Sequence, residues 1–298
     1  LITAAYDRGP DRSYITGGPN GDRHTMVAAA RYADQYDGFL AIAPGFNLPQ
    51  AAVAQLWGAQ QWASVATNPA DLSTAFTPQE RALVANVILA RCDGLDGLDD
   101  GMVQDSTICQ RAFSIKRDVP RCDGERDGTC LTKEQQAVIE EVFAGARTSN
   151  NEIYSSFPFD PGLTQTGWAG WKFGSPYTRD APAVGFIFTT PPADPSILAD
   201  LQGYALGFGV DTEAAKIYAT SGIYTESAMS FMTPPDPTHL DTLRDRGAKM
   251  IVIHGASDGV FSPDDTAPWF DELDRNNGGD AGASTRYFAV PRMGDVVR

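Results

Sequence analysis

Apolar runs with the pattern of buried strands lie near both ends of this 298-residue chain. Residues 39–45 read FLAIAPG and residues 249–255 read KMIVIHG, and shorter candidates occur at residues 13–16 and 285–290. A continuous apolar run is typical of a parallel strand that is buried on both faces. Segments with helical periodicity separate these runs, and strands that alternate with helices form parallel sheets. The sequence therefore predicts an α/β fold with a parallel sheet.

The long segment between these strands is expected to form an inserted domain, which we call the cap. Its character changes from alternating strands and helices to helices, aromatic loops and turns. We expect the core to comprise residues 1–46 and 236–298, and the cap to comprise residues 47–235.

Two capping boxes predict helices within the cap. Thr77 with Glu80 forms one box and Thr132 with Gln135 forms the other, and an apolar stripe follows each. By contrast, residues 167–179 combine tryptophan, glycine and proline, and we expect them to form a surface loop.

Charge and hydropathy exclude two classes of partner. The formal net charge is −15, which repels phosphate backbones, so nucleic acid is not an expected partner. No apolar run approaches the roughly 18 residues that a membrane helix needs, and the first residues lack the pattern of a signal peptide. We therefore expect neither a membrane span nor an export signal in this sequence, which carries no signature of an oligomeric state.

The cysteines are confined to one part of the cap. Cys92, Cys109, Cys122 and Cys130 lie within 39 residues, as their numbers show. Sequential pairing would close two short loops, although four cysteines permit three connectivities. A zinc site is the alternative, but no Cys-x-x-Cys pair and no nearby histidine supply its usual spacing. Either disulfide would indicate an oxidising compartment, so we expect a secreted or periplasmic protein.

The turn after the first candidate strand has the frame of a nucleophile elbow. Residues 17–21 read Gly-Gly-Pro-Asn-Gly between a strand and a helix, where α/β-hydrolases place the motif Gly-x-Ser-x-Gly. The centre of the frame is Pro19, where the hydrolases have serine.

Four motifs in order along the chain resemble the tannase and feruloyl esterase family of α/β-hydrolases. They are SYITGGPNGDR at residues 13–23, CDGLDGLDDGMV at 92–103, GAKMIVIHGASDGVFSP at 247–263 and YFAVPRMGDV at 287–296. The resemblance covers most of the chain and implies an α/β-hydrolase core with a large inserted lid. Because the family's earlier strands have no counterpart in this sequence, we expect the chain to be truncated at both ends.

The resemblance implies roles for four residues of the catalytic machinery. Asp258 matches the acid of the Ser-Asp-His triad, Pro19 stands at the position of the nucleophile, and Asp295 stands at the position of the base. The backbone amide of Asn20 occupies the oxyanion-hole position.

Four further positions depart from the family pattern. Gly18 and Val296 stand where the family has a pair of bridging cysteines, and Asp22 and Arg292 stand where it has glycines.

These substitutions predict the loss of hydrolysis. Proline has no hydroxyl to acylate, and its ring fixes φ near −65°, outside the strained geometry of a nucleophile elbow. The carboxylate of Asp295 is a poor general base at neutral pH, because the pKa of an exposed aspartate is about 3.9.

Ser257 is a competing candidate for the nucleophile. Residues 255–259 read Gly-Ala-Ser-Asp-Gly after a strand, which also satisfies Gly-x-Ser-x-Gly. The triad order of the hydrolases opposes this reading, since none of the three histidines, His24, His239 and His254, follows Ser257.

An acidic loop at residues 92–103 resembles the calcium loop of the family. The resemblance implies a structural Ca²⁺ bound by Asp93, Asp96 and Asp100, with the carbonyl groups of Leu98 and Met102 between them. Hard oxygen ligands of this kind suit Ca²⁺. The alternative is a solvated acidic turn, in which the clustered charges would repel one another.

Four aromatic residues are candidates for substrate binding. They are Trp168, Trp171, Phe173 and Phe261. In the family, aromatic lid residues cover a phenolic ring, which stacks well on aromatic side chains. The alternative is that these residues pack the cap's own interior.

The resemblance thus predicts a carboxylic ester hydrolase that acts on small aromatic, phenolic esters, present here in an inactive form. The alternative is a non-catalytic protein that binds phenolic ligands and retains the lid and the calcium site. A third reading is a hydrolase that has moved its nucleophile to Ser257.

Overall fold

The computed structural model describes residues 2–295. Within that range, four parallel strands form one sheet in the order β1-β2-β3-β4. They are β1 (Tyr14–Thr16), β2 (Gly38–Ile42), β3 (Lys249–Gly255) and β4 (Thr285–Val290). The strands on either side of the long insertion are neighbours, with Leu40 of β2 opposite Ile251 of β3. The predicted α/β fold with a parallel sheet is confirmed.

Fourteen α-helices are found in the described part of the chain. They are α1 (Ile2–Tyr6), α2 (Pro19–Arg31), α3 (Leu48–Val65), α4 (Pro78–Cys92), α5 (Ser106–Ala112), α6 (Ile115–Asp118), α7 (Lys133–Ala144), α8 (Thr166–Ala169), α9 (Ala181–Ala183), α10 (Leu201–Gly207), α11 (Val210–Glu213), α12 (Ala228–Met232), α13 (Asp241–Asp245) and α14 (Pro263–Asn276). Both predicted capping boxes are present, at the starts of α4 and α7. None of the helices in the described range is long and apolar enough to cross a membrane.

Two separate clusters of buried side chains fill the interior. One cluster lies beneath the sheet and contains Met26 of α2, Phe39 of β2 and Trp269 of α14. The other fills the cap around α3 and includes Leu56 and Trp62. Val260 and Phe261, which follow β3, belong to the cap cluster, so this loop joins the core to the cap.

One face of the sheet is less covered than the sequence predicts. Met250 and Val252 of β3 are buried, whereas Ile251 is 43% exposed and Phe288 of β4 is 47% exposed. The expectation that these strands are buried on both faces is therefore wrong for β3. The helices α2 and α14 contribute to the cluster beneath the opposite face, where the side chains of β3 are buried.

The disulfides connect the loops of the cap as expected. Cys92 is bonded to Cys109, which links the end of α4 to α5, and Cys122 is bonded to Cys130. The sequential pairing is confirmed.

Residues 166–188 form a continuous helical segment that alternates between α-helical and wider π-helical turns. The π-helical turns are Gly170–Gly174, Pro176–Asp180 and Val184–Phe188. The expectation that residues 167–179 form a surface loop is therefore wrong. Trp168 and Phe173 are buried in the cap cluster, and this packing holds the segment in place.

Candidate active site

The turn between β1 and α2 differs from a strained nucleophile elbow. Gly18 is extended, with φ −95° and ψ −178°, and α2 begins at Pro19. No residue from 17 to 21, all within the described range, has a positive φ. Proline is favoured at the first position of a helix, because that amide has no helical partner. The turn therefore leads directly into a regular helix N-terminus.

A close approach of two glycines sets the path of this turn. A Cβ atom added to Gly17 would lie 2.3 Å from the carbonyl carbon of Gly21. Such a distance is below any van der Waals contact, so position 17 accommodates glycine alone.

Asn20 lies in the first turn of α2, where backbone amides lack helical partners. Its side-chain Oδ1 accepts a hydrogen bond from Nε of Arg23 at 3.1 Å. Arg23 in turn donates to the carbonyl oxygen of Met232 at 3.0 Å, which ties α2 to the cap.

Asp22 is a buried carboxylic acid in the same turn of α2. Burial raises its pKa to about 6, and the amides of Ile42 and Gly17 and the nearby His254 only partly offset this effect. The negative charge also faces the positive end of the helix dipole, which favours it there. The substitution at this position is evident from the sequence, whereas the burial of the side chain is not.

Asp258, at the acid position, is held in a buried turn after β3. Its Oδ1 accepts hydrogen bonds from the amides of Val260 at 2.8 Å and Phe261 at 2.9 Å. Its Oδ2 is buried and accepts no hydrogen bond from any side chain or amide that the structure describes. One carboxylate oxygen thus orients the turn, and the other lies 3.6 Å from Nε2 of the buried His254.

His254 is fully buried and has two hydrogen-bond partners. Nε2 lies 3.2 Å from the carbonyl oxygen of Phe261, and Nδ1 lies 2.9 Å from Oγ1 of Thr266. A carbonyl oxygen can only accept, so Nε2 carries the proton and Nδ1 accepts from the threonine hydroxyl. This arrangement supports a structural role for His254.

Ser257 is buried and engaged in the packing of the cap against the core. Its hydroxyl donates to Oδ1 of Asp160, and its amide donates to the carbonyl oxygen of Met293 at 2.9 Å. Asp160 also accepts from the amide of Arg292 at 3.1 Å. The serine therefore connects the acid turn to the loop after β4, in place of the imidazole contact that a nucleophile needs.

A cavity of about 620 Å³ lies between the start of α2 and the cap. On the core side its lining includes Gly18, Asn20 and Asp295, and on the cap side it includes Trp171, Asp180 and Phe188. Phe261, from the loop after Asp258, also lines it. The structure thus brings the residues beside Pro19 and the residue at the base position to one cavity, together with two of the four aromatic candidates.

Trp168 and Phe173, the other two aromatic candidates, lie in the interior of the cap. Both rings pack edge-to-face against Trp62, at centroid distances of 6.5 and 5.6 Å. Each is 5% exposed. They therefore contribute to the cap's own core rather than to the lining of the cavity.

Two charged residues of the cavity were not identified from the sequence. The guanidinium of Arg179 lies 4.3 Å from the ring centroid of Trp171. Asp180 is 8% exposed, and burial raises its pKa to about 6. A helix over this segment places Arg179 and Asp180 on the same element as Trp171. The glycines and the proline of residues 167–179, however, predict a loop.

The acidic loop lies between α4 and α5 and is held by its own backbone. Asp93 accepts from the amide of Asp100, Asp96 from that of Leu98, and Asp100 from that of Met102, at 3.1, 2.9 and 3.1 Å. The oxygen donors suit Ca²⁺. Among the described residues, however, no three carboxylate, imidazole or thiol groups converge closely enough to hold a metal ion. The calcium site stays a prediction.

The chain matches a family model described as tannase and feruloyl esterase over residues 1–296. It is 33% identical to the mono(2-hydroxyethyl) terephthalate hydrolase of Piscinibacter sakaiensis, across 98% of this chain and 53% of that protein. It is 28% identical to a probable feruloyl esterase B of Emericella nidulans, across 93% of this chain and 48% of that protein. The chain thus spans about half the length of the curated relatives it matches.

Solved structures show the same fold. The crystal structure of feruloyl esterase B from Aspergillus oryzae superposes with a TM-score of 0.69 over 97% of this chain and 53% of that chain, at 20% identity. A crystal structure of an esterase from the same organism gives the same TM-score at 18% identity.

Proposed function

The chain belongs to the tannase and feruloyl esterase family of ester hydrolases, and from this premise we propose that its cavity binds a small aromatic ester without hydrolysing it. The observation that carries the proposal is the start of α2. Pro19 occupies the first helical position, and its neighbours Gly18 and Asn20 line the same cavity as Asp295. The position that the nucleophile occupies in the family thus holds an imino acid, and the position of the base holds a carboxylate.

The composition of the cavity supports binding of an aromatic ester. Trp171, Phe188 and Phe261 provide apolar surface against which an aromatic ring can stack. The amide of Asn20, at the positive end of the α2 dipole, favours a polarised carbonyl oxygen. Such a site retains contacts that hold an ester while it lacks a nucleophile.

The absence of turnover is tested with a fluorophosphonate probe, which labels activated serines. We expect no labelling of the purified chain, because Pro19 has no hydroxyl and the hydroxyl of Ser257 donates to Asp160. Stoichiometric labelling that is lost in the Ser257→Ala variant would contradict the proposal and support a relocated nucleophile.

Binding is tested by titration of the tryptophan fluorescence with methyl ferulate. We expect a saturable change, because Trp171 lines the cavity, and methyl hexanoate at equal concentration serves as the control without an aromatic ring. A linear, unsaturable response would remove the support for a ligand cavity.

We also propose that the protein works in a secreted or periplasmic location. The two disulfides support this, because disulfides persist in oxidising compartments. Reduction of both bonds during cytoplasmic expression in a reducing strain, with no loss of folded protein, would contradict the proposal.

A further inference from the structure

The two disulfides of the cap differ in their access to solvent. Cys92 and Cys109 are 1% and 0% exposed, whereas Cys122 and Cys130 are both partly exposed. The second bond closes residues 122–130, which we call the closed loop, and every position of this loop is exposed or partly exposed. Thiol–disulfide exchange needs a thiolate to reach a sulfur atom, so access affects how fast each bond is reduced. A reductant in solution should therefore reach the bond of the closed loop first.

The closed loop places an arginine on a buried carboxylate of α4. Nε and Nη2 of Arg126 donate to the two carboxylate oxygens of Glu80, which is 0% exposed. Nη1 and Nη2 also donate to the carbonyl oxygens of Thr74 and Ala75, each at 3.0 Å. Arg126 thus neutralises Glu80, and a two-point contact of this kind fixes the guanidinium in one orientation.

The start of α4 depends on the charge of Glu80. Its Oε2 accepts a hydrogen bond from the amide of Thr77 at 2.7 Å, which completes the capping box of this helix. Burial raises the pKa of Glu80, but its hydrogen bonds, first of all those from Arg126, outweigh burial and hold the pKa below its ordinary value. A buried carboxylate that loses its cation is strongly destabilising. Release of Arg126 would therefore weaken the first turn of α4.

Two backbone hydrogen bonds hold the ends of the closed loop independently of the sulfur atoms. The amide of Cys122 donates to the carbonyl oxygen of Leu131, and the amide of Leu131 donates to that of Pro120, both at 2.9 Å. Reduction of the disulfide should therefore loosen the closed loop and leave the rest of the cap folded.

We propose that the Cys122–Cys130 bond is a thiol-exchange site at which a dithiol reductant switches the stability of the cap. A thiolate of the reductant attacks one sulfur atom and forms a mixed disulfide, and the second thiol of the reductant then displaces the protein's sulfur. The reductant leaves as its own disulfide, and its two electrons and two protons convert both cysteines to thiols. The loosened loop no longer holds Arg126 on Glu80. This inference does not depend on the proposed function of the ester cavity.

Selective reduction is tested by treating the purified chain with dithiothreitol under native conditions. Iodoacetamide traps the thiols as they form, and peptide mass spectrometry follows each cysteine pair with time. We expect Cys122 and Cys130 to be alkylated about tenfold faster than Cys92 and Cys109, because of the difference in access. Equal rates, or faster reduction of the buried pair, would overturn the proposal.

The link to Arg126 is tested by a double-mutant cycle with urea denaturation. The double variant Cys122→Ser, Cys130→Ser opens the loop, and Arg126→Gln removes the cation. We expect Arg126→Gln to raise the equilibrium constant of unfolding about 100-fold or more in the closed loop. In the opened loop its effect should be about tenfold smaller, because the arginine is already partly released. Arg121→Gln, which replaces an exposed arginine beside the loop, is the matched control and should change stability little in either background.

The arginine replacement has an alternative if Arg126→Gln does not fold. Arg126→Lys then takes its place in the cycle, because lysine keeps the charge but loses the two-point contact. Equal effects of the replacement in the closed and opened loops would show that the disulfide does not hold Arg126, and would overturn the switch even if this bond is reduced first. An opened-loop variant that is unfolded, or one as stable as the wild type, would overturn it as well.

Discussion

Trp168 and Trp171, three positions apart on one helical segment, lie in different environments. Trp168 packs edge-to-face against Trp62 inside the cap, whereas Trp171 lines the cavity and carries the guanidinium of Arg179 over its ring. The π-helical turn Gly170–Gly174 points the two side chains in different directions. Side chains three positions apart diverge more in a π-helix than in an α-helix, because a π-helix has more residues per turn. The same residue type therefore has a packing role at one position and a ligand-facing role at the other.

Replacement of the two tryptophans should affect different properties. We expect Trp168→Ala to destabilise the fold by about 3–5 kcal/mol, because it leaves a void in a packed interior. Trp171→Ala should cost less stability and weaken methyl ferulate binding about tenfold or more. Urea denaturation and fluorescence titration measure the two effects. Loss of binding in a fully folded Trp168→Ala protein, with Trp171→Ala unaffected, would reverse the assignment.

Restoration of both catalytic positions should be needed for hydrolysis. The double variant Pro19→Ser with Asp295→His restores a hydroxyl to the turn whose residues Gly18 and Asn20 line the cavity, and an imidazole to position 295, which lines it too. We expect this double variant to release ferulic acid from methyl ferulate faster than either single variant, since nucleophile and base act as a unit. Product release is followed by chromatography. Equal rates in the single and double variants would show that the two positions do not face one another.

Asp22 should contribute a fall in stability between about pH 4 and pH 6 as pH rises. The folded state keeps the proton of this acid up to a pKa of about 6, whereas the ordinary value is 3.8. In this window the folded state binds more protons than the unfolded state, so the free energy of unfolding decreases with rising pH.

Asp22→Asn should remove this contribution, while the buried acid Asp180, whose pKa is also raised to about 6, keeps its own. The shift at Asp22 corresponds to about 3 kcal/mol, so we expect the variant to be more stable than the wild type by up to that amount at pH 8 and equally stable near pH 3.5. The exposed Asp34→Asn change is the control. Thermal melting over this pH range provides the measurement, and parallel curves for wild type and Asp22→Asn would refute the assignment.

Chelation should lower the melting temperature if the acidic loop binds Ca²⁺. A ligand that binds only the folded state stabilises it by mass action, and the loop already carries Asp93, Asp96 and Asp100. We expect excess EDTA to lower the melting temperature and added Ca²⁺ to restore it. The Asp96→Asn variant should respond less to both. Identical melting curves with EDTA and with Ca²⁺ would leave the solvated acidic turn as the explanation.

Arg292 occupies a backbone conformation that favours glycine. Its φ is 57°, and its guanidinium donates to the carbonyl oxygen of Gly101 at 3.0 Å. Arg292→Gly and Arg292→Ala both remove this contact, but only glycine relieves the left-handed strain. We therefore expect the glycine variant to be more stable than the alanine variant by about 1 kcal/mol, measured by urea denaturation. A more stable alanine variant would argue against strain at this position.

The features that sequence analysis predicted correctly depend on local signals. The capping boxes of Thr77 and Thr132, the sequential disulfides and the parallel strands each follow from residues close together in sequence. The family followed from four such local motifs. The burial of Asp22 and the exposure of Ile251 depend instead on which elements cover each face, and that information is spread over the whole chain.

The composition of the cavity likewise depends on contacts between distant parts of the chain. Asn20, Trp171, Phe261 and Asp295 were identified from the sequence, but their meeting in one place required the cap to fold over α2. Asp180 belongs to no sequence motif, and its burial at the cavity follows only from the folded structure. The π-helical turns of residues 166–188 override a composition that is typical of loops, because Trp168 and Phe173 anchor the segment in the cap interior.

The tight contact between Gly17 and Gly21 has a practical meaning for protein engineering. A library designed to give this scaffold a new reactive group can randomise position 18, since a Cβ atom at Gly18 meets nothing within 4 Å. Position 17 must stay fixed in every member, because any larger residue there pushes the chain off its path. New side chains at this turn should therefore be introduced at position 18 and not at position 17.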